Sequence, residues 1–68
     1  MNVTVNVDAH QLDEGAHVDD VLVLLGRDRQ ALGLAVAVNG QIVPRSEWPE
    51  RSLTANDRIE VLHAIGGG

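Results

Sequence analysis

LAVAVNGQIV, residues Leu34 to Val43, reads as two short strands joined by a two-residue turn. Leu34, Val36 and Val38 alternate with Ala35 and Ala37, the period of a strand with one buried face. Asn39-Gly40 then supplies the two central residues of a type I′ turn, which needs positive φ at both. Pro44 lacks an amide donor and halts pairing, so RSEWPERS, 45 to 52, is predicted as loop or a single helical turn. The rest of the chain has to be arranged around this hairpin.

Upstream, NVTVNV (2 to 7) alternates strictly and places Val3, Val5 and Val7 on one face. DAH (8 to 10) is predicted to turn the chain, HQLDE to return it as a short strand with Leu12 inward, and Gly15 to close the unit. Val18, Val21, Leu22 and Leu25 then fall at i, i+3, i+4 and i+7, the stripe of an amphipathic helix. Asp19 and Asp20 suit its positive end, His17 precedes it as a weak cap, and Gly26 is its expected left-handed stop. RDRQ (27 to 30) is connecting loop. Downstream, Asn56 can hold a left-handed turn. After it DRIEVLHAI sets Ile59, Val61, His63 and Ile65 against Arg58, Glu60, Leu62 and Ala64.

Two hairpins flanking one helix, followed by a last strand, are satisfied by an α+β fold. A mixed four- to five-stranded sheet packs on one main helix, its first and last strands parallel at the centre. That arrangement is a β-grasp, with residues 1–65 as the domain and 66–68 as a flexible glycine tail. A chain of 68 residues has room for one small core.

Composition narrows the function further. There is no cysteine for a disulfide, thiolate or cysteine-based metal site. Ten acidic against five basic residues give a net charge of -5, which repels phosphate backbones and anionic lipid. Neither nucleic acid nor membrane is expected as a partner. The start lacks the basic and apolar blocks of a secretory signal and no apolar run is long enough for a bilayer, so a cytoplasmic location is expected. All five basic residues are arginine, which follows from a composition rich in Arg, Ala, Val and Gly, or spares an activated carboxylate from amine attack.

Residues that carry chemistry are few. His10, His17 and His63 share no ligand spacing, so no metal is expected. Ser46 and Ser52 lack a nucleophile turn, and adjacent Asp19 and Asp20 diverge on a helix. No catalytic residue is expected. Trp48, the single aromatic residue, either anchors an interface or covers the edge of the small aliphatic core. Leu62 projects opposite Ile59 and Val61 and, with Ala35, Ala37 and Ala64, would form a small-residue apolar patch leading into the tail. Leu62, Ala64, Ala37 and Arg45 are the candidate docking residues. The closing Gly66-Gly67-Gly68, taken alone, reads as a frayed end or a residual linker, although three glycines in succession at one end are uncommon.

AVAVNGQIVPRSEW, joined to NDRIEVLHAIGGG and to a helix opened by GAHVDD, resembles the ThiS family over essentially the whole chain. These are ubiquitin-like sulfur-carrier proteins of thiamine biosynthesis. His17 stands where the family usually has Thr, and Asn56 where Gly is usual; neither touches the tail. The resemblance implies that the chain is a protein substrate, not an enzyme, and binds no cofactor of its own. An E1-like, ATP-using adenylyltransferase would activate the Gly68 carboxylate, with Ile65, Gly66 and Gly67 threading into its nucleotide site. A cysteine desulfurase or other persulfide donor would supply sulfur to leave a Gly68 thiocarboxylate, which thiazole synthase would consume. The sulfur carrier of molybdopterin synthesis, a non-covalent β-grasp interaction module and a protein tag are the alternative readings.

Overall fold

The computed structural model describes residues 1–28 and 30–63. Seven elements follow one another: β1 (Asn2–Val5), β2 (Asp8–Gln11), α1 (Val18–Leu24), β3 (Leu34–Val38), β4 (Gln41–Val43), a 3₁₀ turn (Arg45–Glu47) and β5 (Arg58–His63). The strands form one sheet in the order β2-β1-β5-β3-β4. β5 lies parallel to β1, with Thr4 opposite Arg58, and antiparallel to β3; the two hairpins complete the edges. The expected β-grasp is therefore present with five strands.

The hairpin at the centre of the sequence forms as its residues dictate. Asn39 and Gly40 have φ of 52° and 84°, and the two-residue loop sets Val38 opposite Gln41 and Ala37 opposite Ile42. α1 is stopped by Gly26 at φ 69°; its N–H bonds the Val23 carbonyl at 3.0 Å and that of Arg27 bonds Leu22 at 2.8 Å. This pair of bonds is a Schellman motif, which satisfies carbonyls the helix leaves open. At the other end His17 occupies the cap position, but the polar contact comes from Asp20, whose carboxylate accepts the His17 backbone N–H at 2.7 Å.

One helix face and one sheet face make the core. Val18, Val21 and Leu22 of α1 meet Val3, Val5, Leu34, Val36, Val38, Val43 and Ile59, with Leu53 closing one end. Leu25, expected in the helical stripe, is only half-buried because it caps the helix. Trp48 is core: it is buried, its indole N–H donates to the Val43 carbonyl at 2.8 Å, and the Arg45 guanidinium lies 4.6 Å from its ring centroid. Of the two readings of this residue, covering the aliphatic core is the correct one.

The first hairpin departs from expectation. Alternation predicted Val7 inward, yet it is 91% exposed, and the turn falls at Asn6-Val7, moving the return strand to 8–11. Asn6 adopts φ 56°, a left-handed conformation that asparagine tolerates. Its own N–H bonds the Ile59 carbonyl at 2.8 Å and its side-chain oxygen accepts the Val61 N–H at 2.9 Å. Asn6 thus continues the parallel ladder with its side chain where the backbone has already turned away. His63, placed by alternation with the inward set of β5, is exposed.

A buried carboxylate ties the loop before β5 to the central hairpin. Asp57 accepts the Thr54 N–H at 2.8 Å, the Thr54 hydroxyl at 3.1 Å and the Asn39 amide at 2.9 Å. Asn56 before it holds φ 70°, as expected, and bonds the Asn2 carbonyl. Burial opposes ionisation of Asp57, but the Thr54 amide, the Asn39 amide, the Thr54 hydroxyl and the Arg51 charge outweigh it and hold the carboxyl below its ordinary value. A depressed native value stabilises the fold above the unfolded value near ~3.9, and that stability is lost as pH falls through the native value. Asp57→Asn is expected to cost about 1–3 kcal/mol at pH 7 by leaving amide donors facing one another. Its stability should also vary less than that of the parent chain below about pH 4, read by urea unfolding across pH.

Candidate functional site

The helix covers one face of the sheet and leaves the other open. Register decides which side chains share that open face: Ala35 stands opposite Leu62, and Ala37 stands between Glu60 on β5 and Ile42 on β4. Ala35 and Ala37 are half-buried, while Leu62 is 59% and Ile42 69% exposed. Two aliphatic side chains thus rise from a floor of small ones. Two of the candidate docking residues, Leu62 and Ala37, lie on this face; Ala64 lies outside the described residues.

Ile42 was missed. The signal was in hand, since a two-residue I′ loop fixes the register and puts Ile42 directly across from Ala37.

Arg45 plays a different part. Its guanidinium donates to the Ala31 carbonyl at 2.7 Å and to the Leu34 carbonyl at 3.4 Å while stacking on Trp48. Leu34 is the register partner of His63, the last residue of β5. Arg45 therefore braces the end of the sheet from which the chain leaves toward its C-terminus. Ile65, Gly66, Gly67 and Gly68 lie outside the described residues, but the strand that leads to them is the middle one of the sheet, hydrogen-bonded on both sides.

Chemically, the open face presents the aliphatic groups of Leu62 and Ile42. Among the described residues no group of His, Asp and Glu could hold a metal ion, and no helix is long and apolar enough to cross a membrane. Asp57, the buried acid, is spent on the Asn39 and Thr54 contacts.

A five-stranded mixed sheet closed over one helix, with parallel β1 and β5 in the middle, defines a ubiquitin-like β-grasp protein. Comparison with known proteins narrows the class. The model of the ThiS family matches residues 3–68, and the chain belongs to that family. It is 35% identical over 68 residues, the full length of both chains, to the sulfur carrier protein ThiS of Escherichia coli strain K12. It is also similar to the crystal structure of the thiamine biosynthesis protein ThiS from Geobacter metallireducens, with a TM-score of 0.79, 31% identity and full coverage of both chains. The solution structure of a thiamine biosynthesis protein from the same organism superposes with a TM-score of 0.76 at 31% identity, covering all of this chain and 88% of the other.

Proposed function

We propose that this chain is a sulfur carrier of thiamine biosynthesis whose working group is the Gly68 carboxylate. The observation that carries the reading is the family match across residues 3–68, which includes the terminal glycines. The chemistry asks for little more from the chain itself. A carboxylate is a poor electrophile, so an E1-like adenylyltransferase joins it to AMP from ATP and releases pyrophosphate. The terminal sulfur of a persulfide attacks the acyl carbon and expels AMP. A second thiol then cleaves the resulting acyl disulfide, forming a protein disulfide and freeing the Gly68 thiocarboxylate. Thiazole synthase takes that sulfur into the ring.

In this reading Gly66 and Gly67 pass through a narrow entrance where a Cβ would collide, and Ile65 leads them in. The open face supplies the contact that offsets the entropy of ordering the arm, through Leu62, Ile42 and Ala37, and Ala64 is a further docking residue in this reading. Arg45 acts beside it by holding the sheet end. A cytoplasmic location and a chain without enzymatic activity accord with this role. The match to the ThiS family favours the thiazole pathway over molybdopterin synthesis.

The test is intact-mass spectrometry of the chain with its activating enzyme, ATP and a persulfide donor. One oxygen exchanged for sulfur at Gly68 is the expected result, and Ile42→Asp should raise the KM for this exchange by about tenfold, the order of one lost apolar anchor. A mass unchanged in the parent chain, or sulfur found elsewhere, sinks the proposal.

A further inference from the structure

Among the described residues β2 is an edge strand, paired only with β1. Met1 and Leu12 exchange both of their backbone hydrogen bonds, at 2.7 Å and 2.9 Å. The alternation of an antiparallel ladder then turns the N–H and C=O of Gln11 and Ala9 outward, toward the open edge. Beside that edge a groove runs between the strand-to-helix loop and α1. Half-buried Leu12 and buried Ala16 lie along it. Val23, 77% exposed, and Leu24, 47% exposed, stand with Asp20 on one flank of the helix at i, i+3 and i+4. Asp13 and Glu14 complete an acidic rim, and no basic side chain is among the described lining residues.

The geometry points to a second protein-binding site: β2 and this groove accept an extended segment of a partner protein as an added outer strand. That segment places an aliphatic side chain between Leu12 and Val23-Leu24, with Lys or Arg on either side. Main-chain bonds to Ala9 and Gln11 give affinity, the groove selects the aliphatic residue, and the rim selects the basic flanks. A second copy of this chain is a poor occupant. It would set Asp8, Asp13 and Glu14 against acidic groups of a molecule that also carries a net charge of -5. The site sits at the β2 edge on the helix side, whereas Leu62, Ala37 and Ile42 occupy the open face of the other three strands. Both can be occupied at once. The inference stands independently of the sulfur-carrier reading.

The test titrates the full ¹⁵N-labelled chain with the blocked peptide Arg-Val-Ile-Val-Arg, using Glu-Val-Ile-Val-Glu as control. Expected are shifts at Val23 and Leu24, slowed amide exchange at Ala9 and Gln11, and about tenfold or greater weakening for the acidic peptide. Val23→Asp alters an exposed side chain, and Gln11→Pro removes one outward N–H while sparing the ladder to β1. Each should weaken binding about tenfold with the spectrum of the folded chain retained. Equal binding of the two peptides, no binding of the basic one, shifts confined to Ala35, Ile42 and Leu62, or unchanged binding by Val23→Asp overturns the inference.

Discussion

Deleting Gly67 and Gly68 is expected to abolish activation completely while leaving the domain folded. Among the described residues the core cluster draws its members from residues 3 to 59, and a glycine has no side chain to add to it. Their removal puts the carboxylate on Gly66, two residues short of its place. A shortfall of about 7 Å of extended chain is more than a nucleotide site can absorb. The loss should therefore be absolute in an ATP-pyrophosphate exchange assay, with an unchanged urea midpoint. A midpoint that fell with the deletion would show that the glycines are part of the fold. Appending any residue after Gly68 should act in the same way, because it replaces the reacting group with a peptide bond.

Trp48→Ala is the corresponding expectation for stability. The indole is buried, donates to Val43 and lies under the Arg45 guanidinium. Removing a buried indole costs about 3–5 kcal/mol. A domain of 68 residues holds only about 3–10 kcal/mol in total. The variant should lose roughly half of that total, with its urea midpoint, followed by circular dichroism, falling to about half of the parent's. Trp48→Phe keeps most of the packing and loses the bond to Val43, so it should fall by a smaller amount, about 1–3 kcal/mol. Equal losses for the two would mean that the hydrogen bond and not the buried volume dominates.

What the sequence made legible follows from how local each determinant is. The Asn39-Gly40 turn, the Gly26 stop, the left-handed Asn56 and the helical stripe are set by residues within a few positions of one another. Each took the expected form, save that Leu25, the last residue of the stripe, caps the helix instead of lying in it. Val7 went astray because alternation alone cannot see that Asn6 leaves the strand to bond Val61, 55 positions away. The Asp57 network was hidden for the same reason, its amide partner lying on another hairpin. On the candidate face, Leu62 and Ala37 were readable from parity, and Ile42 would have been had the turn's register been carried across to β4. Arg45 could be suspected but not understood, since its bonds to Ala31 and Leu34 and its stacking on Trp48 exist only once the sheet has closed.

The Asn39-Gly40 turn also sets a clock on the molecule. A glycine after asparagine leaves its backbone nitrogen unshielded, the condition under which that nitrogen attacks the side-chain amide and ammonia departs. Here the Asn39 amide nitrogen is held by Asp57 and its oxygen by the Arg58 N–H at 2.9 Å, so the native fold restrains the group that ageing would consume. Once that amide is lost, a new carboxylate faces Asp57, and the bond that tied the loop before β5 to the central hairpin is gone. The shelf life of the protein is thereby coupled to its folding stability.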